Sequence, residues 1–352
     1  MITAIVDLQF GSTGKGLLAG YLSLNNDYDV VVSANMPNAG HTFVDHNGEK
    51  WVHKVLPSGV YSNGLKYIGV GPGAVFKMGQ LSHEIAGLRE QGIMAGVIVH
   101  EAAAFLRESH TKAEQESLSS ISSTMQGSME AAYEKMRRQG HANVAANCPE
   151  AVKSAGAKVV SSARWNHIMQ KSKNVLVEGS QGYSLGINAG FYPYCTSRDC
   201  TVWRLLADAG VSPSHTREFK VIGSARVHPI RVGNTTDGYS GPFYPDQQEI
   251  TWQELGQTPE TTTVTGRIRR VFTFSQLQIE EAMRANRVDE VFLNFCNYDH
   301  RAAFAARNII DRVGRSMRSD PDSVFGVDAS STVRYMGFGP AAADVAKVGK
   351  YD

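Results

Sequence analysis

Along the 352 residues, short apolar runs alternate with stretches of helical periodicity. Ile2 to Leu8 is almost continuously apolar and predicts a strand buried on both faces. A glycine-rich turn follows, then a helix from Lys15 to Leu24. Val30 to Ala34, Lys66 to Val70, Val97 to Val99, Asn174 to Val177, Lys220 to Ile222 and Val291 to Phe295 predict further strands. Val75, Met78, Leu81, Ile85 and Leu88 recur at helical spacing, with Gly92 as a natural stop, and Gln276 to Arg287 predicts another helix. Strands separated by helices imply an α/β fold with a mostly parallel central sheet flanked by helices. Such sheets bind ligands beyond the carboxyl ends of their strands. With no repeat and no linker composition, residues 1–352 are expected to form one continuous domain with loop excursions. The serine-rich stretch from Glu116 to Glu130 is expected to be a mobile surface loop.

Composition narrows the class. Lys plus Arg number 35 against 34 Asp plus Glu, a net charge of +1, which argues against a surface built to coat a nucleic-acid polymer or an acidic membrane. No apolar run approaches the ~20 residues of a membrane helix, and Met1 to Leu8 lacks the pattern of a secretory signal. Cys148, Cys195, Cys200 and Cys296 are too few and too scattered for a disulfide scaffold, and none forms a CxxC pair. These features point to a soluble protein of the cytoplasm (a host cytoplasm if a phage encodes it).

Two loops carry candidate chemistry. Gly11-Ser12-Thr13-Gly14-Lys15-Gly16 joins the first strand to the first helix, where glycines let backbone N–H groups approach phosphate oxygens and Lys15 adds a full charge. A standard P-loop would need glycine where Gln9 stands and Ser or Thr where Gly16 stands, so a plain strand-to-helix turn is an equally good reading of this loop alone. Asn38-Ala39-Gly40-His41-Thr42 follows the second strand, and a histidine there can give a proton or hydrogen bond to a reacting oxygen.

Together these loops resemble the GDEGKGK and NAGHT segments of the adenylosuccinate synthetase family. Further matches follow in order: His53 with Leu56-Pro57-Ser58-Gly59 (HLIPSG), Glu178 to Gly182 (EGAQG), Tyr192 to Ser197 (YPYVTS), Thr265 to Arg270 (TGRRRR) and Gly339-Pro340 (TGP). The resemblance implies that family's P-loop-related fold and a two-step, Mg²⁺-dependent ligation. A purine 6-oxo group is phosphorylated by a nucleoside triphosphate, and L-aspartate then displaces the phosphate. It also implies roles. Gly11, Thr13, Gly14, Lys15, Gly16, Asn38, Gly40 and Thr42 would bind phosphates, Gly40 and Ser12 would face Mg²⁺, and His41 would act as acid and charge stabiliser with Lys15 beside it. Ser12, Ser123, Thr124, Gln181 and Thr196 would hold the purine nucleotide, with Arg137 or Arg138 reaching across a homodimer interface. Val264, Thr265, Gly266, Arg267 and Arg269 would recognise aspartate. Asn297, Gly339 and Pro340 would belong to the triphosphate site.

Two departures from the family pattern matter. Ser12 stands where the family has Asp, the general base for the purine N1 proton, and a hydroxyl is too weak a base to replace it. The enzyme is then inactive, works on IMP through another base, or has been reshaped for another purine, in which case Asp7, bulk water or the substrate phosphate are the candidates for the replacement base. The third reading fits best. Guanine carries a 2-amino group beside N1, and a small hydroxyl leaves it room and a hydrogen-bond partner. The substitution resembles a phage branch of the family that converts dGMP to N6-succino-2-amino-2′-deoxyadenylate. The second departure is Asn294-Phe295-Cys296-Asn297 in place of the guanine-reading TKLD. Loss of its carboxylate favours ATP or dATP over GTP as donor. The alternatives are an ordinary family member acting on IMP and a non-catalytic nucleotide sensor.

Overall fold

The computed structural model describes residues 1–45, 48–117, 125–213, 218–236, 238–262, 266–319 and 331–349. Its centre is a ten-stranded sheet. In spatial order the strands are Val345–Lys347, Val333–Gly337, Glu290–Asn294, Phe219–Arg226, Ile2–Asp7, Val175–Glu178, Val30–Ser33, Tyr67–Val70, Gly96–His100 and Lys158–Val160. Every pairing is parallel except that of the last strand in the chain, which runs antiparallel to Val333–Gly337. We label Ile2–Asp7 β1, Lys15–Asn25 α1 and Val30–Ser33 β2. β1 and β2 are buried along their whole length, and all of their residues except Thr3, Asp7 and Ser33 are apolar.

The sheet is covered on both faces. One cluster packs Trp165, Ile168, Ile279, Met283 and Ile310 onto Ala4, Val6, Val177 and Leu293. The other face carries Leu17, Leu18 and Leu22 of α1 against Ile5, Val31, Leu176 and Ile222. Gly20 lets α1 lie close to a hairpin, since a Cβ there would sit 2.1 Å from the Phe43 ring. Among the described residues, no helix is long and apolar enough to cross a membrane.

The expected strands and helices recur with small shifts at their ends. Three strands of the sheet, Lys158–Val160, Val333–Gly337 and Val345–Lys347, are not among those expected from the sequence, and three further features differ from that reading. Val75 does not join the following helix: Val75–Phe76 pairs with Ala104–Phe105 as a short strand, and the helix is Met78–Glu90. Gly92 lies just past it at φ +75°. The stretch Glu116 to Glu130 is not loop throughout, because helices Glu108–Ser117 and Ser128–Met136 enter it from both sides. The Glu114 carboxylate joins them by accepting from Gly127 N (2.7 Å) and Met129 N (2.6 Å). Finally, the segment after β2 forms a hairpin, β3 (His41–Val44) with β4 (Lys50–His53), that places His41 opposite His53.

Candidate active site

The carboxyl ends of the parallel strands meet at a cleft of about 720 Å³. β1 delivers the glycine-rich loop to its floor. Gly11 and Gly14 sit at φ +89° and +94°, values glycine adopts without a Cβ penalty. Asp7, at the end of β1, fixes this turn. One of its oxygens accepts from Gln9 N (2.9 Å) and Gly11 N (3.2 Å), the other from Thr13 Oγ1 (2.6 Å) and Lys15 Nζ (2.9 Å). Those four donors occupy all the lone-pair sites of a carboxylate. Asp7 is therefore an anchor for the loop, and it has no acceptor left to serve as the replacement base. Lys15 also donates to the Gln181 carbonyl at 2.8 Å. The first turn of α1 contains no acidic residue and no side-chain cap, so its N–H groups and partial positive charge remain available to an anion.

His41 enters the cleft from the start of β3. Its Nδ1 meets Glu178 Oε1, while Glu178 Oε2 accepts from Ser58 N at 2.6 Å. Glu178 is fully buried at the end of its strand. Burial alone would raise its carboxyl, but the charge and hydrogen bond of His41, with the Ser58 N–H, outweigh this and hold it below the ordinary glutamate range. An ionised carboxylate has no proton to give, so Nδ1 carries the hydrogen and Nε2 is left to act in the cleft. His53 stands across the hairpin with neither ring nitrogen hydrogen-bonded, and burial lowers its pKa. Gly16 permits this close packing, because a Cβ there would meet the Thr42 carbonyl at 2.8 Å.

Ser12 is exposed at the tip of the loop and adopts φ +58°. Gly11, Thr13, Gly14, Lys15, Gly16, Asn38, Gly40, His41, Thr42, Gln181 and Thr196 line the same cleft. So do Arg269 and Phe295, and two residues that motif spacing did not single out: Glu260 and Arg231. Glu260 accepts from Arg226 Nη2 at 2.5 Å and from Tyr298 OH at 3.0 Å. Burial would raise its carboxyl, but Arg226 foremost holds it below the usual range. Burial pushes Arg269 down to about 10, against the neighbouring Glu260 charge. Arg231 is likewise lowered to about 10 by burial; its guanidinium donates to the carbonyls of Pro242 (2.8 Å), Tyr194 (3.0 Å) and Ser240. No local pattern could have marked these residues, because their partners lie far away in sequence.

Other expected residues lie elsewhere. Arg137 and Arg138 are exposed at the end of helix Ser128–Met136, with Arg137 4.6 Å over the Tyr133 ring. Asn297 is exposed in the turn after strand Glu290–Asn294, and Gly339 and Pro340 follow the neighbouring strand Val333–Gly337; none of the three lines the cleft. Asn294, buried, is the residue that reaches the loop, donating to the Thr13 carbonyl at 3.1 Å. Arg267 donates to the Gly233 carbonyl (3.3 Å) beside Gly266. Ser123, Thr124, Val264 and Thr265 lie outside the described residues.

Among the described residues, no three His, Cys, Asp or Glu side chains cluster as a metal cage. The Ser12 and Gly40 oxygens lining the cleft, beside an unpartnered Asn38 Oδ1, fit a hard cation shared with nucleotide phosphates, the usual mode for Mg²⁺.

The family model for adenylosuccinate synthetase matches residues 4–164 and 142–300. The N6-succino-2-amino-2′-deoxyadenylate synthase of Vibrio phage phiVC8 is 45% identical over 98% of this chain and 97% of its own. An adenylosuccinate synthetase from Methanosphaera stadtmanae is 30% identical over 78% of this chain and 77% of its own. Among solved structures, the succinoaminodeoxyadenylate synthetase of cyanophage S-2L, bound to dGMP and to dATP as an energy donor, superposes with a TM-score of 0.88 at 38% identity, covering 98% of this chain and 95% of that one.

Proposed function

The chain belongs to the adenylosuccinate synthetase family, and on that premise we propose that it is a carbon–nitrogen ligase that joins L-aspartate to C6 of dGMP. The product is N6-succino-2-amino-2′-deoxyadenylate, and the phosphoryl donor is ATP or dATP. The observation that carries the substrate assignment is Ser12, a small hydroxyl at the tip of the phosphate loop, facing the same cleft as His41 and Gln181. Its setting matches the greater similarity to phage enzymes named for this reaction than to enzymes named for adenylosuccinate.

In the first step the guanine O6 forms a bond to the γ-phosphorus as the bond to the nucleoside diphosphate breaks, and the N1 proton passes to water or to a substrate phosphate oxygen. Lys15 and the N–H groups at the start of α1 stabilise charge on the transferring phosphoryl. His41, oriented by Glu178, presents Nε2 to O6 or to the phosphoryl oxygens. In the second step the aspartate amine bonds to C6, the C6–O bond breaks, phosphate departs and the amine gives up its proton. Arg267 and Arg269 meet the aspartate carboxylates, a task suited to a planar guanidinium. The Gly40 carbonyl and Ser12 would hold Mg²⁺, which neutralises phosphate charge when bound. The same reading assigns Ser123, Thr124 and Thr196 to the nucleotide, Asn297 with Gly339 and Pro340 to the donor, and Arg137 or Arg138 to a homodimer contact.

The test supplies aspartate, Mg²⁺ and ATP with either dGMP or IMP. Turnover of dGMP in preference to IMP is expected. Turnover of IMP alone would make the protein an ordinary family member, and nucleotide binding with no phosphate release would make it a sensor.

A further inference from the structure

Ser12 is a non-glycine residue in left-handed backbone, at φ +58°. Such a conformation persists only where the surroundings hold it. One side chain does so here. The Ser12 carbonyl accepts from Arg226 Nη1 at 3.2 Å. Arg226 ends strand Phe219–Arg226 and has no exposed surface. Its guanidinium also meets both Glu260 oxygens, at 3.2 and 2.5 Å, and lies 3.8 Å over the Phe295 ring. Its backbone grips the near end of the same loop, with Arg226 N donating to Gln9 Oε1 (2.9 Å) and its carbonyl accepting from Gln9 Nε2 (3.1 Å). One residue thus fixes both Gln9 and Ser12 and ties them to the Glu260 carboxylate.

We propose that Arg226 is a positioning residue for substrate choice: it holds the Ser12 peptide so that the hydroxyl faces the purine 2-amino edge, with Glu260 setting the guanidinium. The proposal rests on the assignment of Ser12 given above. A lysine could not replace it, because a point ammonium lacks the fork that spans two carboxylate oxygens and a carbonyl at once.

A double-mutant cycle tests this, using Arg226→Lys, Ser12→Ala and the double variant, with kcat/KM for dGMP and for dIMP, which lacks the 2-amino group. Arg226→Lys is expected to lower kcat/KM for dGMP roughly 10- to 100-fold, the scale of one hydrogen bond to a charged group, and to affect dIMP far less. In the Ser12→Ala background the same substitution is expected to cost less than about threefold, because partners in one network are not additive. An equal loss in both backgrounds overturns the proposal, since a merely structural role would not depend on the hydroxyl. If Ser12→Ala leaves the dGMP-to-dIMP ratio unchanged, the assignment of Ser12 itself fails. A changed ratio with an additive cycle removes only Arg226. Should Arg226→Lys fail to fold, Glu260→Gln takes its place in the cycle under the same criteria.

Discussion

Replacing Glu178 by glutamine perturbs the site through hydrogen-bond direction alone. The two side chains have nearly the same shape, and the position is fully buried. One oxygen of the carboxylate is committed to Ser58 N at 2.6 Å and the other to His41 Nδ1. A carboxamide can accept at only one end. If its oxygen serves Ser58, its NH2 faces His41 and forces Nδ1 to be the acceptor. The imidazole is then fixed as the neutral Nε2–H form, and a cationic ring would oppose the amide. If the amide flips, the Ser58 N–H is left against another donor at a cost of about 1–3 kcal/mol. The carboxamide's preferred orientation therefore bars the imidazolium and leaves only a neutral Nε2–H, far too weak an acid to transfer a proton, a loss worth roughly 10²–10⁴ in rate. Glu178→Gln is expected to lower kcat for succinyl-nucleotide formation by at least about 10²-fold. KM for dGMP is expected to stay within about threefold, because Glu178 is fully buried and does not line the cleft. Steady-state phosphate release, with product quantified by chromatography, measures both. A kcat within about threefold of the unmodified enzyme would refute the reasoning that the Glu178–His41 pair sets the acid.

Three further outcomes follow from the same geometry. Ser12→Asp should fold, because Asp tolerates left-handed backbone better than most residues, and should lower kcat/KM for dGMP relative to IMP by about 10- to 100-fold through crowding of the 2-amino edge; an unchanged ratio counts against it. Lys15→Met strips the buried partner from Asp7 and is expected to cost roughly 3–5 kcal/mol of stability, read by denaturant unfolding, together with donor-nucleotide affinity read by calorimetry. Glu178 has a folded pKa below its unfolded one, so its contribution to stability is fully present above the ordinary glutamate value and is lost as pH falls through the lowered one; thermal melts of Glu178→Gln should therefore fall well below those of the parent protein at neutral pH and converge with them as the pH is taken down through the range below the ordinary glutamate value.

The glycine-rich loop was legible in the sequence because its causes are local. Two glycines at positive φ, a lysine and the end of an apolar strand all lie within ten residues. Most of the parallel sheet was legible for the same reason, since strands such as Val30–Ser33 and Val175–Glu178 are short apolar runs, whereas Lys158–Val160, Val333–Gly337 and Val345–Lys347 carried too little apolar sequence to be marked. What stayed hidden depends on distant partners. His41 and Glu178 are 137 positions apart, and Arg226 and Glu260 are 34 apart. No spacing relates either pair. The hairpin that carries His41 was missed because β3 and β4 are short and only half buried. Val75 matched the helical period by coincidence, while its backbone pairs with Ala104. Asn294 and Asn297 could not be told apart by pattern, yet one is buried against the Thr13 carbonyl and the other is exposed.

A crystal structure of the protein soaked with dGMP tests the substrate assignment most directly. The exocyclic N2 of the guanine is expected within about 3.2 Å of Ser12 Oγ, with O6 turned toward His41. A guanine bound in the cleft with N2 out of reach of that hydroxyl would contradict it.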